Sequence, residues 1–238
     1  MPNAILMAAG RGTRISRDVK GYAKCTLDIG NGMPLIRYTV QMLLSHGIKV
    51  HVVVGYDKQR IMDALRGLAV TFYENVFYSI TNSLASLWFA REALSGDMVI
   101  LGNADVYWGE DIMSTLLNEQ RDCAMFCDSS RVEQGDYLFK TVDGKIVNYG
   151  KGIECNHANC EYVGLAIIRD EMVRVFRERL EERIIRQRHL EWWEYVLYGM
   201  IPERDIWVND IAGFFWDEID YVEDYYKILE HRKNVRIK

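Results

Sequence analysis

The stretch AILMAAGRGTR, residues 4–14, places a short apolar run directly before a loop of glycines and arginines. The run from Ala4 to Ala9 is bounded by Gly10, which is typical of a buried strand. A loop of small residues at the carboxyl end of a strand lets backbone N–H groups approach a ligand without obstruction by Cβ atoms. Cations follow closely and favour an anionic ligand, most simply the phosphates of a nucleotide: Arg11, Arg14, Lys20 and Lys24.

Two other phosphate-binding loops are excluded by the residues present. A dinucleotide-binding fingerprint requires a third glycine where Ile15 stands. A Walker loop requires Gly-Lys-Ser/Thr after its first glycine, and that triplet is absent from this loop. Because Gly-x-Gly-Thr-Arg is a weak pattern by itself, a purely structural turn stays open as the alternative.

The composition indicates a soluble globular chain. Hydrophobic residues make up 49% of the 238 residues and charged residues 26%. A net charge of −5 argues against binding to nucleic acid, and no apolar run approaches the roughly 18 residues of a membrane span. Five cysteines without a regular spacing fit a reducing compartment. We therefore expect a cytoplasmic protein with neither a nucleic-acid nor a membrane partner.

Strand and helix patterns alternate through the first half of the chain. Apolar runs predict three further strands, and the segments between them predict helices. A βαβα series of this kind predicts a parallel sheet covered on both faces, with ligands at the carboxyl ends of its strands. The predicted strands span 50–55, 70–73 and 98–101, and the predicted helices 34–46, 58–68 and 84–94.

The second half has a different pattern, with a hairpin around Asp143-Gly144, a strand over 162–168 and a charged helix over about 169–188. No linker or repeat interrupts the chain. The predicted fold class is therefore α/β, a single domain with a Rossmann-like mixed sheet flanked by helices. Within it, we expect residues 1–130 to bind a nucleotide and residues 131–238 to bind a second substrate.

Several motifs together resemble one family. AAGRGTR, the lysine in AKCTLDI, NADV after the fourth strand, and FFWDEIDYVEDY near the end are similar to the sugar-nucleotide and cytidylyltransferase superfamily of nucleotidyltransferases. SITNSLASLWFA, YVGLAII and EWWEYVL resemble the bacterial choline-phosphate cytidylyltransferases most. The resemblance covers residues 3–226 and implies a GT-A-like fold. Many members have Pro-Lys-Pro where this chain has Ala23-Lys24-Cys25, which weakens the sugar-1-phosphate branch.

The resemblance implies roles for particular residues. Lys24 would stabilise the α-phosphate in the transition state and Arg14 would hold the leaving pyrophosphate. Asp105 and Asp220 would hold Mg²⁺, a cofactor that needs only one or two carboxylates besides phosphate oxygens and water. As alternatives, Lys24 is a solvated loop charge and each aspartate is a helix cap. The predicted nucleotide-binding residues are Ala8, Ala9, Gly10, Arg11, Gly12, Thr13, Asn82, Ser83 and Asn103.

The acceptor site is predicted from aromatic and acidic residues. Aromatic faces backed by carboxylates bind quaternary ammonium groups, which favours phosphocholine as the acceptor. A primary amine would require carboxylates without a full aromatic cage, and for some of the aromatic residues a place in the core is the alternative. The predicted acceptor-binding residues are Tyr107, Glu161, Gly164, Trp192, Trp193, Trp216 and Glu218.

The sequence therefore predicts an Mg²⁺-dependent transfer of CMP from CTP to a small phosphorylated acceptor, giving CDP-choline and pyrophosphate. The alternatives are the same chemistry on 2-aminoethylphosphonate, an inositol or sugar phosphate or a phosphorylated amino acid, and a regulatory homologue that binds a nucleotide without turnover. A glycosyltransferase is disfavoured, because Asp105-Val106-Tyr107 stands where such enzymes have Asp-x-Asp. A homodimer is a possible assembly.

Overall fold

The first strand lies in the middle of the parallel part of the sheet and is buried on both faces. A computed structural model describes residues 1–12 and 21–235. Strand β1 (Asn3–Ala8) sends Ala4 and Leu6 into one hydrophobic cluster and Ile5 and Met7 into a second one on the opposite face. Because successive side chains of a strand point to opposite faces, a continuous apolar run requires helices on both sides of the sheet.

The first half contains the predicted alternation of strands and helices. Strands β2 (Lys49–Val54), β3 (Val70–Glu74) and β4 (Met98–Asn103) join β1 in a parallel array. The helices are α1 (Leu35–Ser45), α2 (Lys58–Ala64) and α3 (Ser83–Phe89). The helices predicted over 58–68 and 84–94 end early, at a turn before Gly67, which has a φ of +82°, and at a short 3-10 turn over Arg91–Ala93.

The second half supplies antiparallel strands and the remaining helices. The predicted hairpin is formed by β7 (Leu138–Val142) and β8 (Lys145–Gly150), and the predicted strand after it is β9 (Cys160–Arg169). The other strands are β5 (Val106–Trp108), β6 (Cys123–Asp128), β10 (Trp207–Asp210) and β11 (Trp216–Glu218). The other helices are α4 (Glu110–Asn118), α5 (Glu171–Ile185), α6 (Tyr195–Tyr198) and α7 (Val222–Val235).

Nine strands form one mixed sheet in the order β3-β2-β1-β4-β9-β6-β10-β8-β7. Strand β9 is antiparallel to β4 on one side and to β6 on the other, and its first residues also pair with β7. The prediction of an α/β fold with a mixed sheet flanked by helices is confirmed. Within the described ranges, no helix combines the length and the apolar character needed to cross a membrane.

A separate two-stranded sheet brings distant acidic residues together. Strand β11 pairs with β5, and the Ile219 N–H then donates to the Asp105 carbonyl over 3.0 Å. Asp105 follows the central strand β4, whereas Asp220 follows β11, near the end of the chain. This pairing places both carboxylates at the edge of the sheet where β1 ends, beside the glycine loop.

Candidate active site

A lysine lies between the two aspartates that the sequence predicts as metal ligands. Lys24 stands in a 3-10 turn (Lys24–Thr26), and its side chain is only 8% exposed. Its Nζ lies 3.6 Å from Asp105 Oδ2 and donates a hydrogen bond to Asp220 Oδ1. Burial by itself lowers the pKa of Lys24, but the charges of Asp105, Asp220 and Glu218 outweigh it and the pKa is raised. The lysine is therefore a firmly charged cation, and the alternative of a solvated loop charge is wrong.

The glycine loop packs directly on this lysine. Gly12 has a φ of +56°, and a Cβ atom there would lie 2.8 Å from both Cγ and Cε of Lys24. A residue without a side chain is thus required for the lysine to reach the aspartates. Thr13, Arg14 and Lys20 fall outside the described residues. Arg11 is exposed and its guanidinium lies 5.6 Å from the centre of the Tyr56 ring.

A smaller cleft, of about 200 Å³, opens between the glycine loop and the start of helix α3. Asn82 caps this helix, since its side chain accepts from the Ser83 N–H over 2.8 Å. The fully buried Asn75 donates to Thr81 Oγ1 (3.0 Å) and Ser86 Oγ (2.9 Å), which fixes the loop that forms one wall. The predicted nucleotide-binding residues in its lining are Ala9, Gly10, Asn82, Ser83 and Asn103. The sequence missed Met7, Tyr78 and Ser86.

A larger cleft, of about 420 Å³, adjoins the smaller one and reaches Gly12 and Asp220. Of the predicted acceptor-binding residues, it is lined by Glu161, Gly164, Trp192 and Glu218. The sequence missed Asp136, Tyr137, Lys151, Tyr162, Glu194 and Tyr198. Glu194 lies inside the motif EWWEYVL, and that context is the signal that could have identified it. The tyrosines stand in or next to strands and helices, where the sequence does not distinguish an aromatic residue that lines a cleft from one that packs in the core.

Glu194 is a buried acid in the lining of the larger cleft, with 5% of its surface exposed. Asn103 Nδ2 donates to its Oε1 over 3.5 Å, while the Trp193 indole N–H donates to Asn103 Oδ1 over 3.0 Å. These contacts fix the orientation of the Asn103 amide. Burial raises the pKa of Glu194 to about 7, although the hydrogen bonds that it accepts oppose this shift.

Glu161 also lines the larger cleft, but unlike Glu194 it forms an ion pair with an arginine. Arg131 Nε lies 3.2 Å from Glu161 Oε2, and the same guanidinium donates to Asp217 Oδ1 over 3.2 Å. The guanidinium also stacks over the Trp216 ring at 4.2 Å. Arg131 thus ties the wall of the larger cleft to strand β11, which leads to Asp220.

Comparison with known proteins shows the family to which this chain belongs. The model of the MobA-like NTP transferase domain matches residues 4–195. The chain belongs to this family. A 2-aminoethylphosphonate cytidylyltransferase of Lancefieldella rimae is 28% identical, over 93% of this chain and 89% of the relative. A choline-phosphate cytidylyltransferase of Streptococcus pneumoniae is 26% identical, over 97% of this chain and 98% of the relative.

A solved structure confirms the fold. The CTP:phosphocholine cytidylyltransferase from Streptococcus pneumoniae superimposes with a TM-score of 0.78 at 22% identity, over 97% of this chain and 99% of that chain. The predictions of a nucleotidyltransferase fold, of this family and of an enzyme are therefore confirmed.

Three aromatic residues predicted to bind the acceptor lie in the core instead. Tyr107 is buried beneath helix α7, in a cluster with Ile219 and Ile228, and its ring stacks on Tyr38 at 5.3 Å. The prediction for Tyr107 is wrong because α7 covers the strand that follows Asp105, so that no aromatic rim is left there.

Trp193 and Trp216 are the other two corrections, since both are fully or almost fully buried. The Trp193 indole N–H donates to Asn103 Oδ1, so Trp193 contacts a cleft residue without lining either cleft itself. The Trp216 indole N–H donates to Asp128 Oδ2 over 2.8 Å, and its ring belongs to the core on the far face of the sheet. Their polar atoms are satisfied inside the protein, and neither lines the larger cleft.

The residues present fit a magnesium ion. Asp105 and Asp220 converge on one cationic group, which shows that a positive charge is stabilised between them. No group of three or more metal-ligating side chains occurs in the ranges 1–12 and 21–235. Magnesium does not require such a group, because phosphate oxygens and water complete its coordination. Two carboxylates with hard oxygen atoms are a sufficient donor set beside a bound triphosphate.

Proposed function

We propose that the protein transfers CMP from CTP to a small phosphorylated or phosphonate acceptor whose other end carries a cationic nitrogen. The observation that carries the proposal is the position of the Lys24–Asp105–Asp220 cluster at the junction of the two clefts. Asn103 and Glu218 line both clefts, so a nucleoside in one and an acceptor in the other would meet at this cluster.

The smaller cleft suits the nucleoside. It lies at the carboxyl ends of β1 and β4, where open α/β sheets bind their ligands. Backbone N–H groups of the glycine loop would hold the β- and γ-phosphates. CTP is favoured over other nucleotides because the relatives described above are cytidylyltransferases.

The larger cleft suits a cation, because it combines aromatic faces with acidic side chains. Tyr137, Tyr162, Tyr198 and Trp192 supply the rings, and Glu194 supplies an acid to which no described lysine or arginine forms an ion pair. Inositol and sugar phosphates carry no cation that would match the acidic side chains of this lining. The cleft is therefore best suited to the amine end of an acceptor such as phosphocholine, phosphoethanolamine or 2-aminoethylphosphonate.

In the proposed reaction, an acceptor oxygen attacks the α-phosphorus of CTP, and the bond from that phosphorus to the bridging oxygen of pyrophosphate breaks. Such a transfer depends on positioning and on neutralising charge. Lys24 donates to the α-phosphate oxygens and stabilises the charge that develops on them. Asp105 and Asp220 would hold Mg²⁺, which supplies further neutralisation of the phosphates.

The proposal is tested by pyrophosphate release in the presence of Mg²⁺. Each of CTP, UTP, GTP, ATP and dTTP is combined with phosphocholine, phosphoethanolamine, 2-aminoethylphosphonate, inositol phosphate and glucose-1-phosphate. Release with CTP and an amine acceptor is expected, together with its loss when EDTA is added. Release only with sugar or inositol phosphates would refute the cationic acceptor, and CTP binding without any release would favour a nucleotide-binding homologue.

A further inference from the structure

The inner wall of the larger cleft contains several polar atoms whose hydrogen bonds are not made. The hydroxyl groups of Tyr137, Tyr162 and Tyr198 and the Oε2 atom of Glu194 are buried there. Tyr162 lies near Glu194 and Tyr137 lies near Tyr198, but none of the four atoms has a well-formed hydrogen bond within the described chain. Leaving a buried polar group without a partner destabilises a protein, and a charged group more than a neutral one. Four such atoms along one cleft therefore indicate a ligand that brings hydrogen-bond donors.

The carboxylate of Glu194 also lacks a cationic partner among the described residues. Its neighbour in the cleft, Glu161, is paired with Arg131, and Asp136 is paired with Lys151. Glu194 accepts from Asn103, a neutral amide, and this contact is long at 3.5 Å. A positive charge on the ligand would thus find its counter-ion at Glu194.

The Trp192 ring, which lines the larger cleft, already has a cation of the protein as its partner. The Lys151 ammonium lies 5.4 Å from the centre of the Trp192 ring, within cation–π distance. A quaternary ammonium bound by aromatic faces would have to compete with Lys151 for this indole. The aromatic lining is therefore a weaker argument for a trimethylated nitrogen than the sequence suggests.

From these observations we infer that the acceptor ends in a primary ammonium group, with Glu194 as its counter-ion. The inference rests on the proposed function and narrows it. A primary ammonium carries three N–H donors, which can reach a carboxylate oxygen and two tyrosyl hydroxyls at once. A trimethylammonium carries none, so that it would leave the four buried atoms with no better partners than one another. Aminoalkyl phosphates and aminoalkyl phosphonates share this chemistry and differ only at the end that attacks CTP.

A series of acceptors that differ only in methylation tests the inference. Phosphoethanolamine, its N-methyl and N,N-dimethyl derivatives and phosphocholine are compared by pyrophosphate release with CTP and Mg²⁺, and 2-aminoethylphosphonate is included to separate the two sources of the amine. We expect kcat/KM to fall with each methyl group, and by at least about tenfold across the series, since one lost hydrogen bond of 1.4 kcal/mol is a factor of ten.

The outcomes separate this inference from the proposed function. Equal values across the series, or the highest value for phosphocholine, would overturn the primary ammonium and leave the cytidylyltransferase proposal intact. No release with any member of the series would overturn both.

Two variants test the part played by Glu194. Glu194→Gln keeps the size of the side chain and removes its charge, and we expect it to lower the ratio of kcat/KM for phosphoethanolamine over phosphocholine by about tenfold. Tyr162→Phe should lower the same ratio by removing one acceptor. The matched control is Tyr149→Phe, because Tyr149 stacks on Tyr198 at 4.1 Å but does not line the larger cleft.

Thermal unfolding of each variant shows whether it is folded, and the KM for CTP shows whether the smaller cleft is intact. A structural defect would lower the values for both acceptors together, whereas the loss of a counter-ion lowers the value for the primary amine more. An unchanged ratio in folded Glu194→Gln would overturn the assignment of the counter-ion.

Discussion

Replacing Gly12 with alanine should displace Lys24, the lysine that we propose to be catalytic, and leave the fold intact. The added Cβ atom would lie 2.8 Å from Cγ and Cε of Lys24, about 0.6 Å inside the 3.4 Å at which ordinary contact begins. The clash with Cγ cannot be relieved at the flexible end of the side chain alone, because this atom lies close to the backbone. The turn that carries Lys24 must therefore move away from Asp105 and Asp220.

The chain offers a control that separates this clash from backbone strain. Gly32 also has a positive φ, +71° against +56° for Gly12, but a Cβ atom there would meet nothing within 4 Å. Both alanine variants should lose about 1 kcal/mol of stability to the left-handed conformation, or about 2–4 °C in Tm. In Gly12→Ala alone, the displaced ammonium should lower kcat by about 10- to 100-fold, since an error of 1 Å at a reacting group costs about 10²-fold.

Pyrophosphate release under saturating substrates measures kcat, and a thermal melt of each variant measures the strain. Gly32→Ala should retain wild-type turnover despite its lower Tm. Full turnover in Gly12→Ala, or an equal loss in the two variants, would refute the argument that Gly12 exists to make room for Lys24.

Three further predictions follow from the site. Lys24→Met should lower kcat by about 10²–10³-fold in a protein that still melts cooperatively, the cost of removing one donor to the developing charge. Trp216→Phe should lower the free energy of unfolding by about 1–3 kcal/mol with an unchanged acceptor KM, whereas Trp192→Ala should raise that KM with a smaller change in Tm. Burial raises the pKa of Glu194 from 4.5 to about 7, so the folded protein keeps a proton that the unfolded chain has lost, and stability falls as the pH rises through this window. Urea melts at pH 5 and pH 8 should show that Glu194→Gln removes up to about 3 kcal/mol of this decline.

The parallel half of the fold could be predicted because its signals are local. A buried strand such as Ala4–Ala9 is a continuous apolar run, and each helix between the strands follows from its own spacing of apolar residues. The ends of the helices were less predictable, because the stop at Ala64 depends on how the next residues turn toward β3.

The site was predictable only in part, for a physical reason. Nothing in the spacing of Asp105 and Asp220 shows that they meet, and their meeting depends on the pairing of β5 with β11. Tyr107 and Trp192 look alike in sequence, yet helix α7 covers the first and leaves the second at a cleft. Burial by a distant element is not encoded near the residue that it buries.

The position of β9 in the sheet has a consequence for folding during translation. This strand begins at Cys160, yet it fills the gap between β4, which ends at Asn103, and β6, which ends at Asp128. During translation, β4 therefore has an unpaired edge until the residues of β9 have been synthesised. Strand β6 has two unpaired edges until then, because its other neighbour, β10, follows later still. Unpaired strand edges recruit other chains, so a fragment that stops short of Cys160 should aggregate even though it contains the entire glycine loop and Lys24.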